Sequence, residues 1–211
     1  QMTGAEILRA SVGLDASPLA GGLSVEGQSW AGELLAQARN LPTPDEHPDG
    51  FHGELRSYQA EALAWLGFLD AVDLGGCLAL DMGLGKTPTM LAHLAEPDAG
   101  GPSLVVAPPA VVGNWAAEAR RFTPGLSVTV HHGASRPQGA AFKRAVRNSD
   151  VILTTYGTAV RDVEMLEEHQ WDKVVLDEAQ AIKNPVNETS QQLRRLVARS
   201  RIALTGTPIE N

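Results

Sequence analysis

The chain has 211 residues, of which 43% are hydrophobic, 20% charged and 5% aromatic; that composition suits one well-cored domain with an appendage and excludes disordered and fibrous chains. The net charge of −8 excludes a generally basic nucleic-acid-binding surface while leaving room for a local contact site, and residues 1–50, with seven acidic and two basic side chains, carry most of it. No apolar run reaches membrane-spanning length, no basic-then-apolar leader pattern opens the chain and the lone Cys77 has no disulfide partner, so a cytoplasmic protein without membrane association is expected.

In chain order, Thr3 with Glu6 forms a capping-box pattern ahead of Ile7 and Leu8, and a second helical pattern runs from Trp30 through Leu34, Leu35 and Ala38. Pro18 and Gly21–Gly22 separate the two, and Pro42, Pro44, Pro48 and Gly50 read as a linker. Residues 1–50 are therefore expected to be an acidic helical appendage, a candidate docking segment for a partner protein, and residues 51–211 a domain of their own. From residue 51 onward short apolar runs alternate with helical segments. Leu78–Leu80, Leu104–Ala107, Val128–Val130, Val151–Leu153, Val174–Leu176 and Ile202–Leu204 read as buried parallel strands. Thr87–Ala95, Ala110–Phe122, Gln138–Arg147 and Thr189–Val197 read as helices between them. Repeated βα units of this kind predict an α/β fold, a mostly parallel sheet with helices on both faces.

The run Asp81-Met82-Gly83-Leu84-Gly85-Lys86-Thr87 follows the strand Cys77–Leu80 and precedes a helix, the setting of a phosphate-binding loop. Glycines let the backbone turn and aim N–H groups at phosphate oxygens, and the helix start adds its positive dipole end. Lys86 would reach the β and γ phosphates and Thr87 would ligate Mg²⁺. The strict spacing would put the first glycine at Leu80, so the loop is a variant; a plain glycine turn with a solvated lysine is the competing reading. Further on, Lys173-Val174-Val175-Leu176-Asp177-Glu178 is an apolar strand ending in two acids. At the end of a strand neighbouring the loop, Asp177 would hold Mg²⁺ through water and Glu178 would polarise the attacking water; two surface acids at a strand end are the alternative.

Together these residues resemble the Swi/Snf-type DNA translocases, within the second superfamily of helicase-like motors. Asp81–Thr87 is similar to the family's first motif, Asp177-Glu178-Ala179-Gln180 with Ile182-Lys183-Asn184-Pro185 to its second in a bacterial form, and Leu204-Thr205-Gly206-Thr207-Pro208-Ile209-Glu210-Asn211 to its third. Leu55-Arg56-Ser57-Tyr58-Gln59 with Trp65-Leu66 resembles the nucleotide-recognition segment, and Val105–Pro109 with Asn114-Trp115, and Thr154-Thr155-Tyr156, resemble the segments that meet the DNA backbone. The resemblance covers residues 55–211. Leu80, where an acid is usual, and Thr89, where a glutamine is common, depart from the pattern.

The resemblance implies a RecA-like P-loop NTPase lobe using ATP and Mg²⁺, with double-stranded DNA as partner of the complete motor. It assigns Arg56, Gln59, Met82, Gly83, Leu84, Gly85, Lys86 and Thr87 to nucleotide binding, with Gln59 reading adenine; Lys86, Asp177 and Glu178 to catalysis; and Thr87 and Asp177 to the metal. Asn114, Trp115, Thr154, Thr155 and Tyr156 are the implied DNA contacts, although Thr154 and Thr155 read equally well as strand-end β propensity and the four tryptophans as packing anchors. Gln180, Thr205, Gly206 and Thr207 would couple nucleotide state to DNA. The family's second RecA-like lobe, which supplies arginines to the ATP site, has no counterpart in the 211 residues. Truncation is expected, with nucleotide binding kept and turnover nearly lost. Three other functions fit part of the pattern: a strand-separating helicase, a stand-alone P-loop NTPase, and a partner-docking module. His131-His132 lacks the spacing of a zinc site, and adjacent strand residues point to opposite faces.

Overall fold

The computed structural model describes residues 38, 41, 43–96, 100–182, 184 and 186–206. The capping box at Thr3, the helical pattern from Trp30 to Leu35, Lys183, Pro185 and residues 207–211, Thr207 among them, lie outside the described residues. The chain divides into two units, Gln1–Thr43 and Pro44–Asn211. That division falls ahead of the expected boundary at residue 50 because residues 44–50 are tied into the second unit: Leu55 N donates to Glu46 O (2.8 Å) and Phe51 N to Pro48 O (3.2 Å).

The second unit is built on six strands: β1 (Gly76–Ala79), β2 (Ser103–Ala107), β3 (Val128–His131), β4 (Val151–Thr155), β5 (Gln170–Leu176) and β6 (Val197–Thr205). They form one sheet in the order β1-β6-β5-β2-β4-β3. Every pairing is parallel. Helices α1 (Ser57–Ala71), α2 (Lys86–Leu94), α3 (Pro109–Phe122), α4 (Gly139–Arg147), α5 (Tyr156–Arg161), α6 (Val163–Glu167) and α7 (Glu188–Arg194) connect or flank the strands, with a 3₁₀ turn at Ala179–Ile182.

The two-residue alternation of a strand sorts β2 onto both cores. Val105 and Ala107 pack with Leu66 of α1, Met90 and Leu91 of α2 and Val112 and Trp115 of α3, whereas Leu104 and Val106 pack with Phe142 of α4, Ala159 of α5 and Leu193 of α7. All five β2 residues are buried, and each fully buried Leu or Val contributes about 1.5–3 kcal/mol of transfer free energy. Helices thus cover both faces, as expected. A third cluster, Phe51, Leu55, Ala60, Leu63 and Ala92, seats α1 on α2, with Phe51 stacked on Phe122 at 5.4 Å.

Three expectations need correction. Asp177 was placed on a strand beside β1, but β6 lies between β1 and β5. Cys77 is exposed rather than buried, because β1 is an edge strand with one flank unpaired in the sheet. The helix expected over Thr189–Val197 ends at Arg194, and Val197 begins β6, which continues to Thr205. Among the described residues no helix is long and apolar enough to cross a membrane.

Candidate nucleotide site

A parallel sheet puts the C-terminal ends of all its strands on one edge, so the loops leaving β1, β2, β4, β5 and β6 share that edge, where ligands of open α/β sheets bind. The loop after β1 is shaped by two left-handed glycines, Gly83 (φ 83°) and Gly85 (φ 78°), the second being the N-cap of α2. At Gly85 a Cβ would lie 2.4 Å from Gln59 Nε2, so only glycine fits there twice over; at Gly83 a Cβ would meet nothing within 4 Å, which leaves the outer turn of the loop open. Pro88 is tolerated in the first turn of α2, where a backbone N–H has no intrahelical acceptor.

Lys86 Nζ donates to Leu80 O at 2.9 Å. The residue that departs from the family pattern therefore holds the lysine through its carbonyl. Thr89, the other departure, is fully buried and its hydroxyl donates to Gly85 O at 2.9 Å. Gln59 braces the loop from α1: its Nε2 donates to Gly85 O (3.2 Å) and Leu84 O (3.4 Å), and its Oε1 accepts from Arg56 N (2.9 Å). Both ends of that amide are engaged within the chain. Tyr58, which the sequence reading passed over, adds O–H to Leu84 O at 3.1 Å. Arg56 is exposed at the start of α1.

Asp177 directly follows β5 at 6% exposure, and its N–H donates to Val106 O of β2. Trp115 Nε1 donates to its Oδ2 at 2.8 Å and Glu178 N to its Oδ1 at 2.9 Å. Burial pushes the Asp177 carboxyl up, the Trp115 and Glu178 N–H groups and the Lys86 charge hold it back, and the Glu178 charge pushes the same way as burial. Glu178 has φ 51°, a left-handed conformation that a non-glycine residue adopts only when its surroundings hold it there. Those surroundings include Gln180, whose Nε2 donates to Glu178 Oε2 while its Oε1 accepts from Thr205 Oγ1 at 2.9 Å. Next along β6, a Cβ on Gly206 would lie 3.3 Å from Met82 Cγ and 3.6 Å from Lys86 Nζ. Lysine, acids and the β6 terminus thus meet on one edge. A cation and a buried carboxylate on one sheet edge, beside an open left-handed loop, fit a phosphate–magnesium pair.

The implied DNA residues sit differently. Trp115 is 2% exposed, Thr154 0% and Thr155 2%, so their side chains face the interior and not a backbone phosphate. Their polar groups are already used, Thr154 Oγ1 on His131 O (2.8 Å) and Thr155 Oγ1 on Thr158 Oγ1 (2.9 Å). Tyr156 is half-buried and donates to Asp177 O at 2.7 Å; burial, with the Asp177 and Glu178 charges, pushes its phenol up. Asn114 alone of the five is exposed, with Nδ2 on Glu118 Oε1 at 2.8 Å. Of the histidine pair, His131 ends β3 and is buried against Asp162 (2.8 Å), and His132, just past the strand, is exposed with Nδ1 3.2 Å from Thr158 Oγ1. A cleft of about 430 Å³ lined by Gly101, Arg147, Asp150 and His169 lies on the opposite edge of the sheet, away from this chemistry.

The SNF2-related domain matches residues 58–211, most of the chain and all of the site just described except Arg56. The chain belongs to that family. As an SNF2-related chain it is 43% identical over 205 residues to YwqA, a proposed ATP-dependent helicase/translocase of Bacillus subtilis, covering 94% of this chain and 22% of the relative. It is 33% identical over 210 residues to the TATA-binding protein-associated factor mot1 of Aspergillus fumigatus, covering 90% of this chain and 11% of that protein. The Sulfolobus solfataricus SWI2/SNF2 ATPase core solved in complex with double-stranded DNA superimposes with a TM-score of 0.70 at 39% identity, over 78% of this chain and 34% of that one. The SNF2-related lobe here spans about a fifth or less of these two relatives' length and about a third of the solved core. The RecA-like lobe expected from the sequence is the fold of the described second unit.

Proposed function

We propose that this lobe binds ATP with Mg²⁺ and forms one half of a motor that couples ATP hydrolysis to movement along double-stranded DNA. One observation carries the reading: the Lys86 loop and the acids Asp177 and Glu178 share one sheet edge, and Gln180 ties Glu178 to Thr205 at the end of the strand between them. Bound magnesium would neutralise charge on the phosphates. Lys86 and the N–H groups of Gly83 to Thr87 hold the phosphates, and Thr87 and Asp177 hold the metal. Glu178 orients and polarises the attacking water. Met82 and Leu84 line the loop, and Arg56 and Gln59 stand on the base side, where Gln59 fixes the loop that receives the nucleotide. Thr205, Gly206 and Thr207 pass the nucleotide state on through Gln180. DNA meets the exposed Asn114 in the second turn of α3 and the backbone ahead of α5, contacts that position phosphates without reading sequence.

A second RecA-like lobe supplies the arginines that complete the site. This lobe alone therefore binds ATP and turns it over slowly, since such an arginine is worth about 10³–10⁵ in rate. The decisive experiment measures ATP turnover by the 211-residue chain and by a two-lobed form, each with and without duplex DNA. DNA-stimulated turnover confined to the two-lobed form is the expected result. Robust turnover by the single lobe would instead favour a stand-alone NTPase, and strand separation by the two-lobed form a helicase.

A further inference from the structure

Trp115 is the one group from outside β5 and its following turn that donates a side-chain hydrogen bond to the Asp177 carboxylate among the described residues. Packing alone explains why an indole at 2% exposure lies between α3 and the sheet, but it does not explain where the ring N–H points. A buried indole N–H needs an acceptor. Here the acceptor is a carboxylate oxygen of the acid assigned to the metal, at 2.8 Å and 62 residues away in sequence. Two ionised oxygens offer about four lone-pair directions; Trp115 takes one on Oδ2 and Glu178 N one on Oδ1. The remaining lone pairs stay available, so the carboxylate is oriented without being blocked. Tyr156 holds the same residue from the other side of the sheet through the Asp177 carbonyl, at 2.7 Å.

We propose that Trp115 is a positioning residue for the magnesium-binding carboxylate, fixing the rotamer of the Asp177 side chain through its Oδ2, rather than a contact to DNA. The proposal rests on the nucleotide reading above and assigns a residue that reading did not use. Hydrogen-bond partners of metal-binding groups act this way elsewhere: they set the orientation of the ligand, and losing one weakens metal binding while the ligand itself remains.

The test uses the full chain and replaces the N–H while keeping the ring, as Trp115→Phe and, where Phe loosens the core, as β-(3-benzothienyl)alanine at 115, whose bicycle has sulfur in place of N–H. Binding of a non-hydrolysable β,γ-imido ATP is titrated calorimetrically with Mg²⁺ and again with EDTA. Removal of the N–H should weaken the Mg²⁺-dependent binding roughly ten-fold and leave metal-free binding within about two-fold of the parent chain, as expected for a partner acting through the metal ligand. Equal losses in both arms, or no loss in either, would overturn the proposal. In the nucleotide-free protein the Trp115 indole ¹⁵N–¹H resonance, identified by its loss in Trp115→Phe, should move in Asp177→Asn; an unmoved resonance counts against the contact. If the parent chain binds no nucleotide, the nucleotide reading fails and this inference falls with it, whereas parent binding with an unchanged metal dependence in the variants sinks this inference alone.

Discussion

Gly83 and Gly85 both take left-handed backbone, yet a methyl group at each meets different surroundings, and the two substitutions separate strain from contact. Gly83→Ala carries only the backbone cost, about 1–2 kcal/mol of stability, because nothing stands within 4 Å of the added carbon. Gly85→Ala adds a collision at 2.4 Å with Gln59 Nε2, so it should cost more in urea denaturation and also disorganise ATP binding by displacing the amide that braces the loop. The glycines, Lys86 and the acid pair could be read from the sequence because their chemistry is local and their spacing is short. What Trp115, Thr154 and Thr155 do could not, since each depends on a partner that only the fold brings near. Asp177 illustrates the tension between stability and function at this scale. A carboxylate at 6% exposure costs desolvation but accepts N–H groups on both oxygens, and Asp177→Asn, which turns one acceptor into a donor facing an N–H, should lower the melting temperature modestly while losing Mg²⁺-dependent nucleotide binding; an unchanged melting temperature would show that relief of desolvation offsets the lost hydrogen bond.

At the scale of elements, all six strands were expected in position because each carries a continuous apolar run between turn signals, although only β2, β4 and β5 are buried along most of their length and the edge strands β1 and β3 are buried only in part. Their lengths were not: β5 begins at Gln170 and β6 at Val197, both in polar or mixed sequence that hydrophobicity does not mark. The short helices α5 and α6 escaped for a similar reason, being too brief to show a helical period. A clamp joins this region to the edge of the sheet. Asp162, between α5 and α6, accepts from Arg136 through Nε (2.6 Å) and through a second guanidinium nitrogen (2.8 Å), and lies 2.8 Å from His131 of β3. The Arg136 guanidinium, aided by His131 and opposed by burial, holds its carboxyl down at about 2. A carboxyl depressed in the folded state stabilises above its unfolded range near pH 4 and ceases to do so as pH falls through about 2. Asp162→Asn should therefore lose about 2 kcal/mol at neutral pH, and the gap to the parent chain should close as acid denaturation is followed from pH 4 to pH 2. A gap that persists at pH 2 would assign the loss to packing instead of charge.

Across the whole lobe, the charged groups divide between the two edges of the sheet. On the edge away from Lys86, Lys173 Nζ lies 2.9 Å from Asp70 and 2.8 Å from Asp172, Arg199 reaches Asp172 at 2.7 Å, and buried His93 has its ring nitrogens 3.2 Å from Asp70 and 3.1 Å from Glu96. The network ties α1, α2, β5 and β6 together, and nothing in the sequence announced it. Lys173 is 5% exposed and shared by Asp70 and Asp172, which keep His93 and Arg199 as partners, so Lys173→Ala should be destabilising in chemical denaturation by less than the roughly 3–5 kcal/mol of a fully stranded buried charge. Whatever population stays folded should bind ATP with parental affinity, and a weakened affinity would mean the two edges are coupled. With a net charge of −8 and few implied phosphate contacts, DNA affinity should fall only gently with salt, with a log–log slope no steeper than about −3. A slope near that of a strongly basic binder would point to a cationic face in contact with the phosphates.

The strand order gives β6 a further significance. Sitting between β1 and β5, it acts as a gauge block: two inter-strand steps of about 4.8 Å fix the gap from lysine loop to acid pair near 10 Å, a width set by main-chain hydrogen bonding and insensitive to side-chain repacking. Evolution can retune the chemistry on either jaw of this vice by substitution, but it can change the opening only by rebuilding the sheet.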